Sequence, residues 1–196
     1  MSIENNKNYY KNDMKVKKED CTLFDFYELE RLFRKGFMLN NVGEENCQSI
    51  SEHIAAVTNL ALLTMLEYNI DIDRQKVLEM LTIHEYGEII IGDITPFDGI
   101  TKEEKHVAEK EAISKIFKNL KSRYYLMSLW NEFEKKESLE ARFAYDMDKL
   151  EAAISAKRYL DAGKGDKEGL EKFYKFTMDI LFFEESKEVL KKYWNK

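Results

Sequence analysis

A helix-length apolar stripe interrupted by charge places the strongest constraint on this chain. Val77, Leu81, His84, Glu88 and Ile91 recur at intervals of three and four, the repeat of one α-helix face. A face of that kind buries itself against a neighbouring helix. Here a histidine and a carboxylate interrupt it, and Glu85 lies just off the same stripe. A charged carboxylate is too costly to bury alone, so it must be paired, neutralised or bound to a cation. The spacing therefore predicts either a buried ion-pair network or a metal site at this depth.

The same periodicity continues along the chain. Leu23 to Lys35 reads as a first helix, with Phe26, Leu29, Leu32 and Phe33 at helical spacing and Gly36 as its stop. Asn40 to Asn46 is turn-like, and a second helix is expected over about Gln48 to Tyr68. Asp71 or Asp73 caps a third helix that runs to about Ile91 and ends at Gly92. The loop Asp93 to Ile100 carries the only proline, Pro96. Thr101 with Glu104 three residues on forms a capping box for a fourth helix reaching about Leu120. Helical stretches over about Arg123 to Lys135 and Leu139 to Ala162 follow, then Gly163-Lys164-Gly165 breaks the chain. An aromatic-rich helical tail runs from Lys167 to Trp194. No strand-like alternation of useful length, internal repeat or Gly-rich phosphate loop is present. The expected fold is all-α and single-domain, with a mobile arm over 1–20, the main domain over 21–163 and a C-terminal helical extension over 164–196 packed on it.

Composition narrows the class. At 196 residues the chain suffices for one sizeable core and is short for two. Hydrophobic residues at 44% with 35% charged describe a folded, helix-rich protein, not a disordered one. A net charge of -6 argues against polymeric nucleic acid as a partner. Cys21 and Cys47 have no framework spacing, which fits free thiols in a reducing compartment. Even Ile54 to Leu66 is interrupted by Thr58, Asn59 and Thr64, so no membrane partner is expected. Met1 to Glu19 lacks the apolar core of a signal peptide. A cytoplasmic protein is expected.

Only three histidines occur. His53 lies between Ile50 and Val57 on a helix face, and taken alone it reads as a core histidine satisfied by one hydrogen bond. His84 and Glu85 alone read equally as part of a salt-bridge network. Asp148 changes the balance, because it shares a small-residue face with Ala141, Ala144, Ala152 and Ser155 where a partner helix can approach closely. Three helices would then each point an imidazole or carboxylate inward. Such ligands suit divalent cobalt, manganese, iron, nickel or zinc, and a small ligand set leaves positions open for water and substrate. Asp146 points about 200° away from Asp148 on the same helix and is read as structural, and His106 is read as structural or as supporting a neighbouring ligand, not as a metal ligand.

The ordered set His53, His84-Glu85 and Asp148 resembles the His…His-Asp…Asp signature of HD-domain metal-dependent phosphohydrolases. Ser-Glu-His at 51–53, His-Glu-x-x-Glu-x-x-x-Gly-Asp at 84–93 and Lys-Glu-Glu-Lys-His at 102–106 resemble the 5'-deoxynucleotidase branch. Arg34-Lys-Gly-Phe37 is similar to that branch's Arg-x-Gly-Trp segment. The resemblance runs from about Leu32 to Ala156. It implies an HD-domain fold holding one divalent metal through His53, His84, Glu85 and Asp148. It also implies a homodimer that hydrolyses deoxyribonucleoside 5'-monophosphates to nucleoside and phosphate. Glu88 and Asp93 match the carboxylates credited with catalysis in that branch, and Arg34 and Phe37 match its substrate-contacting pair.

Two positions depart from the pattern: the ligand Asp is Glu85 here, and the aromatic is Phe37 in place of Trp. The extra methylene shifts a carboxylate by roughly 1.5 Å, against a tolerance of about 0.5 Å in a working site. That bears on metal choice and rate more than on fold. In the implied chemistry a cation offsets phosphoryl charge and acidifies water. Glu88 orients that water or accepts its proton, and Asp93 protonates the departing 5' oxygen. Arg34 offers planar donors to phosphate, and Phe37 packs on sugar or base. Two alternatives stay open: an HD-superfamily hydrolase of another nucleotide phosphoester, and a catalytically inactive HD-domain binding protein.

Overall fold

Most of the longer helices start where a short polar side chain offers an acceptor to an unpaired backbone N–H group. The structure, a computed structural model, describes residues 24–196; the arm expected over 1–20 and Cys21 lie outside the described residues. Helix α1 spans Lys35–Met38. Ser49 and Glu52 close a reciprocal cap on α2 (Ile50–Glu67), and Asp73 caps α3 (Arg74–Ile83). A short α4 (Glu88–Ile91) precedes α5 (Lys102–Phe117), which opens on the Thr101–Glu104 box. Then come α6 (Arg123–Lys135), α7 (Leu139–Asp161) with Ser138 as cap, α8 (Lys167–Ile180) with Asp166 as cap, and α9 (Glu184–Trp194). Each side-chain cap is worth about 0.5–2 kcal/mol.

Helix α7 is the axis of the fold and packs against α2, α3, α6, α8 and α9. Its alanines at 141, 144 and 153 are fully buried, and their small volume lets neighbouring backbones approach. Around them close Val57, Ala61 and Met65 of α2 and Val77, Met80 and Leu81 of α3, all without solvent exposure. Full burial of each larger side chain contributes about 1.5–3 kcal/mol. A second cluster joins Phe37, Val42, Cys47, Ala152, Ala156 and Leu170 on the other side of α7. Among the described residues no helix is long and apolar enough to cross a membrane.

Three helical readings need correction. The stretch expected as one helix to Lys35 is a 3-10 turn at Asp25–Glu30 followed by the short α1, with Gly36 inside α1. Between them Phe33 pairs with Ser49 as an isolated antiparallel bridge, which pulls the chain out of helix. The third helix is interrupted after Ile83: backbone bonds from Tyr86, Glu88 and Ile89 reach back only three residues. His84 and Glu85 therefore sit in a tightened turn, and Glu88 begins α4 instead of following His84 on one regular face. The tail is two helices. Asp146 explains the split, because its carboxylate accepts the N–H groups of Phe182 at 2.9 Å and Phe183 at 2.8 Å. Burial raises the Asp146 carboxyl above its ordinary range, and those two bonds oppose the rise.

Candidate metal centre

Four side chains from three regions meet at one point. His53 lies on α2, His84 ends α3, Glu85 follows in the turn and Asp148 is central on α7. One ligand atom from each lies within 4.8 Å of the others. His53 Nε2 is 3.4 Å from His84 Nε2, 3.2 Å from Asp148 Oδ1 and 3.9 Å from Glu85 Oε1. His84 Nε2 is 3.7 Å from Glu85 Oε1.

The far side of each ring is tied down. His53 Nδ1 contacts Glu151 Oε2 at 2.6 Å, and His84 Nδ1 contacts the Leu81 carbonyl at 2.8 Å. Both partners are acceptors, so each Nδ1 carries the proton and each Nε2 presents its lone pair to the shared point when the ring is neutral. Glu151 is itself fixed by donors from Gln48 at 2.8 Å and Ser155 at 2.7 Å. Asp148 Oδ1 is buried and makes no well-formed hydrogen bond, an expensive state unless a cation meets it. Two imidazoles and two carboxylates with that orphaned oxygen fit a divalent cation.

Charge around the centre is sorted. Burial alone would raise Glu85, but His84 and the Arg34 guanidinium hold it well below the usual carboxylate range. Burial likewise opposes ionisation of Asp148, and Lys149 with His53 outweighs it. Lys149 Nζ sits 2.7 Å from Asp148 Oδ2, leaving Oδ1 for the centre. For His53, burial and Arg34 disfavour the charged ring, yet Asp148 and Glu151 raise its pKa on balance. Glu88 behaves differently: burial, then the charges of Glu85 and Asp93, push it well above its ordinary value. Its Oε2 is buried and unpartnered.

Arg34 Nη1 donates to Glu85 Oε1 at 3.0 Å, so the longer Glu side chain joins the centre to a guanidinium. Asp93 follows Gly92, whose φ of 72° turns the chain back towards α1. There Asp93 Oδ2 accepts the Lys35 backbone N–H at 2.8 Å. Phe37 is not brought to the centre. It is 1% exposed, with its ring stacked 5.2 Å from Phe173 and edge-on 5.1 Å from Tyr159. An apolar ring gains more in that aromatic slot than beside ionised groups.

Sequence reasoning missed Glu151, Lys149 and Lys105. Glu151 had a signal, since it stands three residues after Asp148 and so shares its helix face. His106 groups with Glu109 and Glu134 on α5 and α6. Its Nδ1 is 3.2 Å from Glu134, its ring stacks on Trp130 at 5.6 Å, and Lys105 lies 3.4 Å from Glu109. That group is satisfied without an ion.

The chain is similar to known proteins in sequence and in fold. The HD domain family model matches residues 27–187. Over 136 residues the chain is 34% identical to 5'-deoxynucleotidase HDDC2 of Mus musculus, covering 68% of this chain and 66% of that protein. Over 140 residues it is 35% identical to 5'-deoxynucleotidase YBR242W of Saccharomyces cerevisiae, covering 68% of this chain and 57% of that protein. The match thus spans less than two thirds of each of these relatives. The crystal structure of PH0347 protein from Pyrococcus horikoshii OT3 superposes with a TM-score of 0.70 at 26% identity, covering 87% of this chain and 95% of that one. With a model match across most of its length and relatives above 30% identity, the chain belongs to the HD domain family.

Proposed function

We propose that this protein is a metal-dependent phosphomonoesterase that removes the 5'-phosphate from deoxyribonucleoside 5'-monophosphates. The observation that carries the reading is the convergence of two back-bonded imidazoles with Glu85 and Asp148 on one point. The names of the relatives supply the substrate class. His53, His84, Glu85 and Asp148 would hold a divalent cation, which would offset the charge of a phosphate ester that otherwise repels its nucleophile and would lower the pKa of water.

The residues around it divide the remaining work. Arg34, with one nitrogen on Glu85, directs its other donors at phosphate oxygens. The roles expected for Glu88 and Asp93 are exchanged: burial and the charges of Glu85 and Asp93 favour the protonated form of Glu88, which makes it the donor to the departing 5' oxygen. Asp93 has Oδ2 held by Lys35, and its other oxygen orients the attacking water. Phe37 supports α1 from below and does not touch substrate. A reducing, cytoplasmic setting suits the buried free thiol of Cys47, and a homodimer carries over from the family resemblance.

The test is a nucleotide panel with phosphate detection after loading with cobalt, manganese, iron, nickel or zinc. Deoxyribonucleoside 5'-monophosphates should be hydrolysed faster than ribonucleotides and much faster than triphosphates, because an unpaired buried 2'-hydroxyl costs on the order of 1–3 kcal/mol. Arg34→Ala should weaken all phosphate substrates together. Equal rates on ribo- and deoxyribonucleotides, or preference for triphosphates or cyclic diesters, would defeat the substrate assignment. No turnover with metal bound would make this a binding protein.

A further inference from the structure

We infer that Lys105 is a positioning residue of this centre, tying the Asp93–Ile94 segment to α5 and so setting where the Asp93 carboxylate lies. Lys105 Nζ donates to the Ile94 carbonyl at 2.8 Å and pairs with Glu109 Oε1 at 3.4 Å, one turn along the same helix. The bond lands on the residue after Asp93. Helix α5 packs directly on the His84–Glu88 turn, where a Cβ built at Gly87 would lie in ordinary contact with the Glu109 backbone, 3.4 Å from its carbonyl oxygen and 3.6 Å from its Cα.

The segment is anchored from two sides. On the α1 side the Lys35 N–H holds Asp93 Oδ2, and the Lys35 ammonium pairs with Asp98. On the α5 side Lys105 holds Ile94. Ahead of both stands Gly92, whose φ of 72° is a conformation that glycine adopts without strain. Charge reinforces the geometry. Burial disfavours the Lys105 ammonium, but Glu109, Glu85, Glu88 and Asp93 together stabilise it. Arg34 touches Glu85 directly, whereas Lys105 touches Ile94 and Glu109 and acts on the other carboxylates only through its charge. The function of the tether rests on the role given to Asp93 above.

Lys105→Met and Lys105→Arg are compared with the parent full-length, metal-loaded protein. Turnover, metal content and amide hydrogen exchange over residues 93–100 are measured on each. Because misplacement by about 1 Å can cost on the order of 10²-fold in rate, Lys105→Met should lower kcat by about 10–100-fold. KM should stay within about threefold, the pattern of a lost transition-state interaction. Metal content should be unchanged and exchange over 93–100 faster. Lys105→Arg, which still offers donors to Ile94 and Glu109, should restore most of kcat and slow the exchange again. Unchanged kcat in Lys105→Met, a rise in KM alone, loss of metal, or an arginine variant as impaired as the methionine one would overturn the inference. If the parent hydrolyses nothing, the proposed activity fails, while exchange still decides the tether: equal exchange in parent and Lys105→Met would refute it.

Discussion

The set His53, His84, Glu85 and Asp148 and the trio His106, Glu109 and Glu134 draw on the same residue types, yet differ in what stands behind the ligand atoms. In the first, each Nδ1 is tied to an acceptor and each Nε2 is turned to a common point beside an orphaned oxygen. In the second, the imidazole spends Nδ1 on Glu134, its ring lies on Trp130, and a lysine already neutralises Glu109. The first is mostly buried, whereas in the second His106 is exposed and the two part-buried carboxylates already meet Lys105 and the His106 ring. Ligand identity alone does not make a metal site. What decides is whether the surrounding structure leaves inward-facing atoms without another partner.

The largest expected difference between the two groups is metal binding itself. His84→Ala should abolish stoichiometric binding of a divalent ion, whereas His106→Ala should retain it, as read by metal analysis after gel filtration. Losing a ligand imidazole leaves its carboxylate neighbours uncompensated. Retention in His84→Ala, or loss in His106→Ala, would reverse the comparison.

A smaller effect isolates the backing of the rings. Glu151→Gln should weaken metal affinity about 10–100-fold, because the carboxylate both orients His53 and raises its basicity. Glu134→Gln, which alters the partner of His106, should leave affinity unchanged in chelator competition. Equal responses would mean that Glu151 only packs.

The smallest effect is in the pH dependence of stability. In the metal-free protein the raised His53 pKa contributes stability that is complete below its unfolded value of about 6.5 and is lost as pH climbs through the folded value. The lowered Glu151 carboxyl contributes stability above its unfolded value of about 4.3, lost as pH falls through the folded one. Metal stabilisation runs the other way across the histidine range, since protons compete for the same nitrogens. The gap in melting temperature between loaded and metal-free protein should therefore widen by a few degrees from pH 6 to pH 8. His106→Ala should show the same widening. A gap that narrows with rising pH would contradict the assignment of His53.

Sequence periodicity and short-range chemistry determined that the chain is helical and where several of its helices start. Caps at Asp73 and Thr101 follow from contacts within one turn of the chain, and the small-residue face of α7 was legible as a period although other helices bury it. The four inward-facing residues were legible for a related reason, since polar groups on apolar faces stand out against the period. Tertiary structure alone decided how they meet. His53 reaches His84 across 31 residues and Glu151 across 98, and no helical repeat encodes contacts over such separations. The interruption after Ile83 and the burial of Phe37 between α7 and α8 were hidden for the same reason. The sequence carried helix-forming spacing and an apolar ring, and only the packing of distant elements fixed which way the chain turned and which surface the ring joined.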